Sequence, residues 1–427
     1  MTAVSDAGIL DDLVRRGLLH DHTDLDLLRQ RLVEGPITLY AGFDPTADSL
    51  HIGNLVPLLL LRRFQDAGHR AIALAGGATG MIGDPGGRSD ERTLLDDATL
   101  DRNLTAIRAQ LAQFVDLEGG QGLLVDNRTW TQPIGLLEFL RDVGKHVTVN
   151  AMLAKESVRA RVESENGISY TEFSYMLLQA NDYDVLHVEH GCELQVGGSD
   201  QWGNITAGID LIRRRRGARV HGLTVPLVTR SDGSKFGKSV DGAVWLGAGH
   251  TSPYAFYQYW INVDDRDVER FLLQLTLLDV DEAEAVAAAH AESPERRLGQ
   301  RRLAREMTTL VHGQPAAVAA EAAAALLFGG SADAADVAAF EMLAGELGAV
   351  ALPSGDLDGG LAAEEVVARS GLAPSLTQAR KALQAGEIRV NGARLDAGHQ
   401  VEPRMLAHGR YLLVQRGRKR HALLVVD

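Results

Sequence analysis

Two lysines three residues apart with a hydroxyl beside them, Lys235-Phe236-Gly237-Lys238-Ser239, and a histidine-led word far upstream, His51-Ile52-Gly53-Asn54, are the residues best suited to chemistry on phosphates. Two ammonium groups and a hydroxyl on the turn-rich segment 230–234 suit a loop that closes on phosphate oxygens. Gly53 lets a flat or charged ligand approach the backbone closely. Taken singly, His51 reads as a helix-start histidine and the lysines as solvated loop residues. Their occurrence together, in this order, favours a nucleotide site built from both.

The elements around them agree. An apolar strand pattern at residues 37–42 runs through a breaker-rich turn at 43–49 into a helix opening at Leu55-Val56-Pro57. Such a strand-turn-helix passage presents backbone N–H groups and the positive end of a helix dipole to an anion. Strand-like runs at 37–40, 70–75, 122–125, 184–188 and 223–227 alternate with helical patterns, predicting an α/β domain with a mostly parallel sheet. Trp202, Ile205, Ile209 and Ile212 mark one face of a helix over 201–213, with Asp200 placed as its N-cap. Residues 253–343 read as helical. Residues 351–360 read as a linker, followed by a helix at 376–383, a turn after Ile388-Arg389-Val390 and a hairpin from 411–414 and 422–426. The expected domains are a Rossmann-like catalytic domain over 1–230, a lysine loop with an α-helical domain over 231–350, the linker, and a small α+β module over 361–427.

The chain of 427 residues carries 43 basic and 57 acidic residues, a formal charge of -14. That balance argues against coating nucleic acid or anionic lipid indiscriminately. Residues 361–427 alone hold 11 Lys/Arg against 6 Asp/Glu, so a basic tail on an acidic body suggests one RNA-contacting module. Cys192 is the only cysteine, which excludes an intrachain disulfide and a cysteine-rich zinc site and fits a cytoplasmic location. No signal peptide and no membrane span are expected, and no cluster of carboxylates has metal-ligand spacing.

The stretch from Tyr40 to Asn54, YAGFDPTADSLHIGN, resembles the opening signature of bacterial-type tyrosyl-tRNA synthetases. Gly83-Asp84-Pro85, Tyr175-Met176-Leu177-Leu178-Gln179-Ala180-Asn181-Asp182, Gly197-Gly198-Ser199-Asp200-Gln201-Trp202-Gly203-Asn204 and the lysine word are similar to that family in order and spacing. The resemblance implies a class I aminoacyl-tRNA synthetase whose catalytic domain is interrupted at about 117–190 by a dimer-forming segment. It implies L-tyrosine, ATP with Mg²⁺ and tRNA(Tyr) as substrates and partners, a homodimer, no permanently bound cofactor and no bound metal of its own. By the same resemblance, Thr46, His51, Lys235, Lys238 and Ser239 hold the leaving phosphates. Gly42, Asp44, Gly53, Asn54, Gly198, Asp200 and Lys238 contact ATP, with Asn54 standing where the more familiar residue is histidine. Tyr40 and Asp182 would bind the substrate phenol, and Asp84, Tyr175, Gln179, Gln195 and Gln201 its polar end. Arg416, Arg418, Lys419 and Arg420 would contact tRNA. The run from Arg213 to Arg216 reads as a solvated helix end beside the dipole. A tryptophanyl-tRNA synthetase and a non-catalytic RNA-binding relative are the competing readings.

Overall fold

Runs that are apolar on both faces belong in the middle of a parallel sheet covered by helices on each side. In the computed structural model, which describes residues 8–84, 95–163, 167–231, 236–239 and 242–427, these runs form β1 (Thr38–Phe43), β2 (Arg70–Ala75), β3 (Gly122–Asp126), β4 (Cys192–Gly198) and β5 (His221–Val225). All neighbours are parallel and the order is β3-β2-β1-β4-β5. The chain therefore builds outward from β1 in one direction and from β4 in the other. The crevice beyond the carboxyl ends of β1 and β4 is the switch point where an open α/β sheet takes its ligand.

One strand differs from expectation. Residues 184–188, expected as a strand, lie inside the helix Tyr170–His190, which Ser169 caps and Gly191 ends in the left-handed region at φ 62°. The strand of that region is β4, which follows this stop. The helix expected at 201–213 spans Trp202–Arg216 and buries Ile205, Leu211 and Ile212. Gln201, not Asp200, holds its N-cap position, and no side chain caps it. Asp200 sits one residue earlier in a single 3-10 turn, Ser199–Gln201.

The described residues gather into two compact units, one drawn from Met1–His250 with Asp264–Gly299, the other from Thr251–Val263 with Gln300–Asp427. The helices Asp265–Leu275 and Val280–Glu292 thus cluster with the α/β sheet. In the second unit a five-stranded sheet runs in the order Ala393–Arg394, Ile388–Val390, Tyr411–Arg416, Arg420–Val426 and Val350–Leu352. Alternation along its central strands gives it two apolar faces. Leu412, Val414 and Leu424 pack with the Ala363–Arg369 and Leu376–Gln384 helices. Tyr411, Leu413 and Leu423 pack with Phe340 and Leu343 of the Val337–Leu347 helix. The expected linker accordingly begins within a strand, paired with Arg420–Val426, and goes on to bury Leu357. The turn at Asn391-Gly392 has φ of 49° and 85°, the hairpin geometry its sequence requires.

Candidate active site

β1 ends in Phe43, and the next residue, Asp44, is the hub of the first polar layer. Its Oδ2 accepts from the Tyr175 hydroxyl at 2.8 Å and its Oδ1 from Thr79 Oγ1 at 2.7 Å. Thr79 Oγ1 in turn accepts from Asn127 Nδ2 at 3.1 Å, and Asn127 Nδ2 also donates to Asp182 Oδ2 at 2.9 Å. Trp130 Nε1 donates to the other oxygen of Asp182 at 2.8 Å. Asn127 is held by the Ala78 N–H, which donates to its side-chain oxygen at 2.7 Å. A continuous network therefore links the ends of β1, β2 and β3 to the Tyr170–His190 helix. Gly76 makes it possible: a Cβ there would lie 2.2 Å from Asp44 Oδ1 and 2.4 Å from Thr79 Oγ1.

Beside this network Tyr40 is 1% exposed, and its ring lies 5.3 Å from that of Tyr183. Tyr40 is the register partner of Gln195 across β1 and β4. Among the described residues, the Tyr40 hydroxyl and the side-chain oxygens of Gln179 and Gln195 are buried without a hydrogen-bond partner. Leaving such atoms unpaired costs about 1–3 kcal/mol each, so they suit a ligand that brings polar groups to matching positions. At the other end, Gln201 Nε2 donates to Asp84 Oδ2 at 2.7 Å, and Gln179 Nε2 approaches Gln201 Oε1 at 3.4 Å. Burial pushes the Asp182 carboxyl up to about 7, against the pull of its Asn127 and Trp130 donors. Burial likewise raises the Tyr40 and Tyr175 hydroxyls well above the ordinary tyrosine value, with Asp182 and Asp44 respectively adding to the shift. Both phenols are neutral donors at physiological pH.

The histidine word forms a 3-10 turn, Ile52–Asn54, closed by a reciprocal cap. His51 Nδ1 accepts from the Gly53 N–H, and the Asn54 side-chain oxygen accepts from the His51 N–H, both at 3.0 Å. This turn opens the Leu55–Asp66 helix. The chain following the lysine word lies against it: the Ile52 N–H donates to Val244 O at 3.0 Å, and the Leu246 N–H to Leu50 O at 2.8 Å. Gly237 itself is at φ 85°, and a Cβ on it would stand 3.2 Å from Ile52 Cγ1 and 3.8 Å from the Gly53 nitrogen. The two words thus meet in space. Lys235 and Pro85 lie outside the described residues, as do the side chains of Lys238 and Ser239. Thr46, Gly42 and Gly53 are exposed toward the crevice end of β1, and Gly198 follows from β4, where a Cβ would meet Asp200 Oδ1 at 2.7 Å.

A buried polar network at the carboxyl ends of the parallel strands, with unpartnered polar atoms of Tyr40, Gln179 and Gln195 beside it, is matched by comparison with known families. The family model described as tRNA synthetases class I (W and Y) matches residues 32–329. The chain belongs to that family. A second model, Tyrosine--tRNA ligase SYY-like C-terminal domain, matches residues 351–424. The chain is 53% identical over 422 residues to a tyrosine--tRNA ligase of Opitutus terrae, covering 98% of this chain and 99% of that one. It is 49% identical over 421 residues to the tyrosine--tRNA ligase of Geobacillus stearothermophilus, covering 97% and 99%. A C-terminally truncated Aspergillus nidulans mitochondrial tyrosyl-tRNA synthetase superposes with a TM-score of 0.67 at 32% identity, covering 73% of this chain and 92% of that one.

In this class I synthetase the sequence reading missed Thr79, Asn127, Trp130 and Gly76, which hold Asp44 and Asp182. The only signals for them were a Gly-Gly pair directly after β2 and an Asp-Asn pair ending β3. The arginine run ends the Trp202–Arg216 helix with Arg213, Arg214 and Arg216 exposed and Arg215 half-buried. Arg215 and Arg216 both pair with Asp184, itself 1% exposed, and Arg214 donates to His146 O at 2.9 Å. Of the expected tRNA contacts, Arg416 is engaged with Glu387 and with Leu372 O, whereas Arg418, Lys419 and Arg420 stand exposed at the hairpin turn.

Proposed function

We propose that this synthetase is a tyrosine--tRNA ligase that joins L-tyrosine to ATP as tyrosyl-adenylate and then passes the tyrosyl group to the 3′ end of tRNA(Tyr). The observation that supports the reading is the Tyr40 hydroxyl, buried without a hydrogen-bond partner and close enough to feel the Asp182 carboxylate; the two would share the phenol of the substrate, which phenylalanine lacks. The substrate ammonium then falls to Asp84, Tyr175 and Gln179, with Asp44, Gln195 and Gln201 completing that polar end. Its carboxylate oxygen attacks the α-phosphorus of ATP as the bond to the pyrophosphate oxygen breaks. A ribose hydroxyl of the tRNA next attacks the tyrosyl carbonyl, and AMP leaves.

The substrate carboxylate is itself the nucleophile, so the protein supplies alignment and charge stabilisation. Lys235, Lys238, Ser239, Thr46 and His51 form the cradle for the departing phosphates, while Gly42, Gly53, Asn54, Gly198 and Asp200 receive the nucleoside. The described carboxylates Asp44, Asp84 and Asp182 are each engaged by side-chain donors, so Mg²⁺ arrives on the triphosphate, where it offsets phosphate charge. Support for a homodimer comes from Leu136, Leu137, Val149 and Val162, exposed apolar residues of the segment after β3. Among the described residues no helix is long and apolar enough to cross a membrane.

Pyrophosphate exchange into ATP with tyrosine, with tryptophan and with no amino acid tests the reading. Exchange that depends on tyrosine alone is expected. Exchange with tryptophan would reassign the pocket, and none with either would leave an RNA-binding protein without this catalysis.

A further inference from the structure

We propose that Asp267 is a positioning residue for adenylate formation: buried on the Asp265–Leu275 helix, it holds Ser231 ahead of the lysine word while Phe271, one turn on, packs against Phe236 within it. This rests on the tyrosine--tRNA ligase reading.

Asp267 is 2% exposed. Its carboxylate accepts from the backbone N–H of Ser231 at 3.1 and 3.0 Å and from the Ser231 hydroxyl at 3.1 Å. Ser231 is exposed and belongs to the segment 230–234 that leads into the lysine word. A buried carboxylate spending both oxygens on one exposed loop residue is not explained by helix capping, since Asp264 already caps this helix. Arg270, one turn along, pairs with Asp267 and donates to Thr229 O, so residues 229 and 231 are held by the same face. Positions 267, 270 and 271 share that face because they are three and four apart. From it the Phe271 ring meets the Phe236 ring edge-on at 5.2 Å.

The helix is fixed at its other end to the element that carries the histidine word. Carbonyls in its last turn and just past its C-terminus are taken up by two guanidinium groups. Arg63, on the helix that opens at the His51 turn, donates to Thr276 O, and Arg16 donates to Leu273 O at 3.0 Å and Leu278 O at 2.7 Å. A continuous path of packed and hydrogen-bonded groups therefore runs from the histidine word through Arg63 and the Asp265–Leu275 helix to Ser231 and Phe236. Alignment errors of an ångström at the phosphates cost large factors in rate. Tyr40 and Asp182, the residues proposed to bind the tyrosine phenol, are not members of this path.

The test uses the full-length chain with Asp267→Ala, Ser231→Ala and Ser231→Pro. The proline variant removes the donated N–H at an exposed residue and leaves the buried carboxylate in place, so it remains informative where Asp267→Ala does not fold. Expected are a tenfold or greater fall in kcat of tyrosine-dependent pyrophosphate exchange for Asp267→Ala and Ser231→Pro and a smaller fall for Ser231→Ala. The tyrosine dissociation constant by equilibrium dialysis should stay within twofold of the unaltered chain throughout. Exchange within twofold of the unaltered chain for Ser231→Pro, or an equal loss of tyrosine binding and exchange, overturns the proposal. Failure of the unaltered chain to exchange with tyrosine would instead overturn the ligase reading on which it rests.

Discussion

Asp182 carries a carboxylate to a position that water does not reach, where it is 2% exposed. Desolvation favours its neutral form, and the donors Asn127 and Trp130 favour the charged one; the balance leaves it at about 7. Both oxygens already accept one hydrogen bond, so a proton on either would point a donor at groups that are themselves donors. The ionised form is the stronger acceptor for a further hydrogen from a substrate phenol, and it alone leaves both oxygens free of a competing proton. Below about pH 7 the free protein must therefore lose a proton before tyrosine binds, and above it no such cost arises. We expect the tyrosine dissociation constant to rise by up to tenfold per unit as pH falls from about 7 to about 5, with little change from about 7.5 to about 8.5. Fluorescence titration across that range checks it, and a flat profile would mean that the phenol does not donate to Asp182.

The next scale is the turn after β2, where the requirement is for space rather than for a charge. Gly76 is buried, and a methyl group there would overlap Asp44 and Thr79 simultaneously. Thr79 is 3% exposed and cannot swing away, so Gly76→Ala must displace Asp44 from Tyr175. The expected outcome is a tenfold or greater weakening of tyrosine binding in equilibrium dialysis, with ATP saturation in the exchange assay affected far less. Equal effects on both would place Asp44 elsewhere in the chemistry. This turn also shows where sequence patterns stop being informative. β1, β2, β3 and β5 were legible because apolar runs bounded by breakers have few other uses. Residues 184–188 misled because Val185, Leu186 and Val188 fit either period over so short a stretch. β4 went unread because Glu193 and Gln195 interrupt its apolar pattern, Gln195 being polar although it is 2% exposed. Of the candidate site, the groups with charges or hydroxyls in recognisable words were legible. Asn127 and Trp130 were not, since an amide and an indole acquire their role only from the carboxylate that folding brings to them.

At the scale of the whole chain, the basic excess is confined to the last 67 residues, and the second unit shows how it is displayed. The sheet there is packed on both faces, with Phe340 stacked on Tyr411 at 5.0 Å, so deleting residues 361–427 would uncover Phe340 and Leu343 as well as remove charge. Substitution at the turn is the cleaner experiment. Arg418, Lys419 and Arg420 are exposed, and Gly417 at φ 62° sets the turn that presents them. Positive groups on such a turn suit the phosphates of an RNA backbone, and every phosphate left without its cation flattens the log–log salt dependence of binding by about one unit of slope. Changing all three to glutamate should raise the KM for tRNA(Tyr) in the charging reaction by roughly tenfold or more at low salt, a difference that shrinks as salt is added. Tyrosine-dependent pyrophosphate exchange, which needs no RNA, should remain within twofold. Arg416→Glu is expected to behave differently, because it opposes Glu387 with a like charge and removes the donor to Leu372 O, and so lowers the thermal midpoint as well. Charging at the unaltered rate by the triple variant, with its fold intact by circular dichroism, would remove the hairpin turn from the RNA-binding surface.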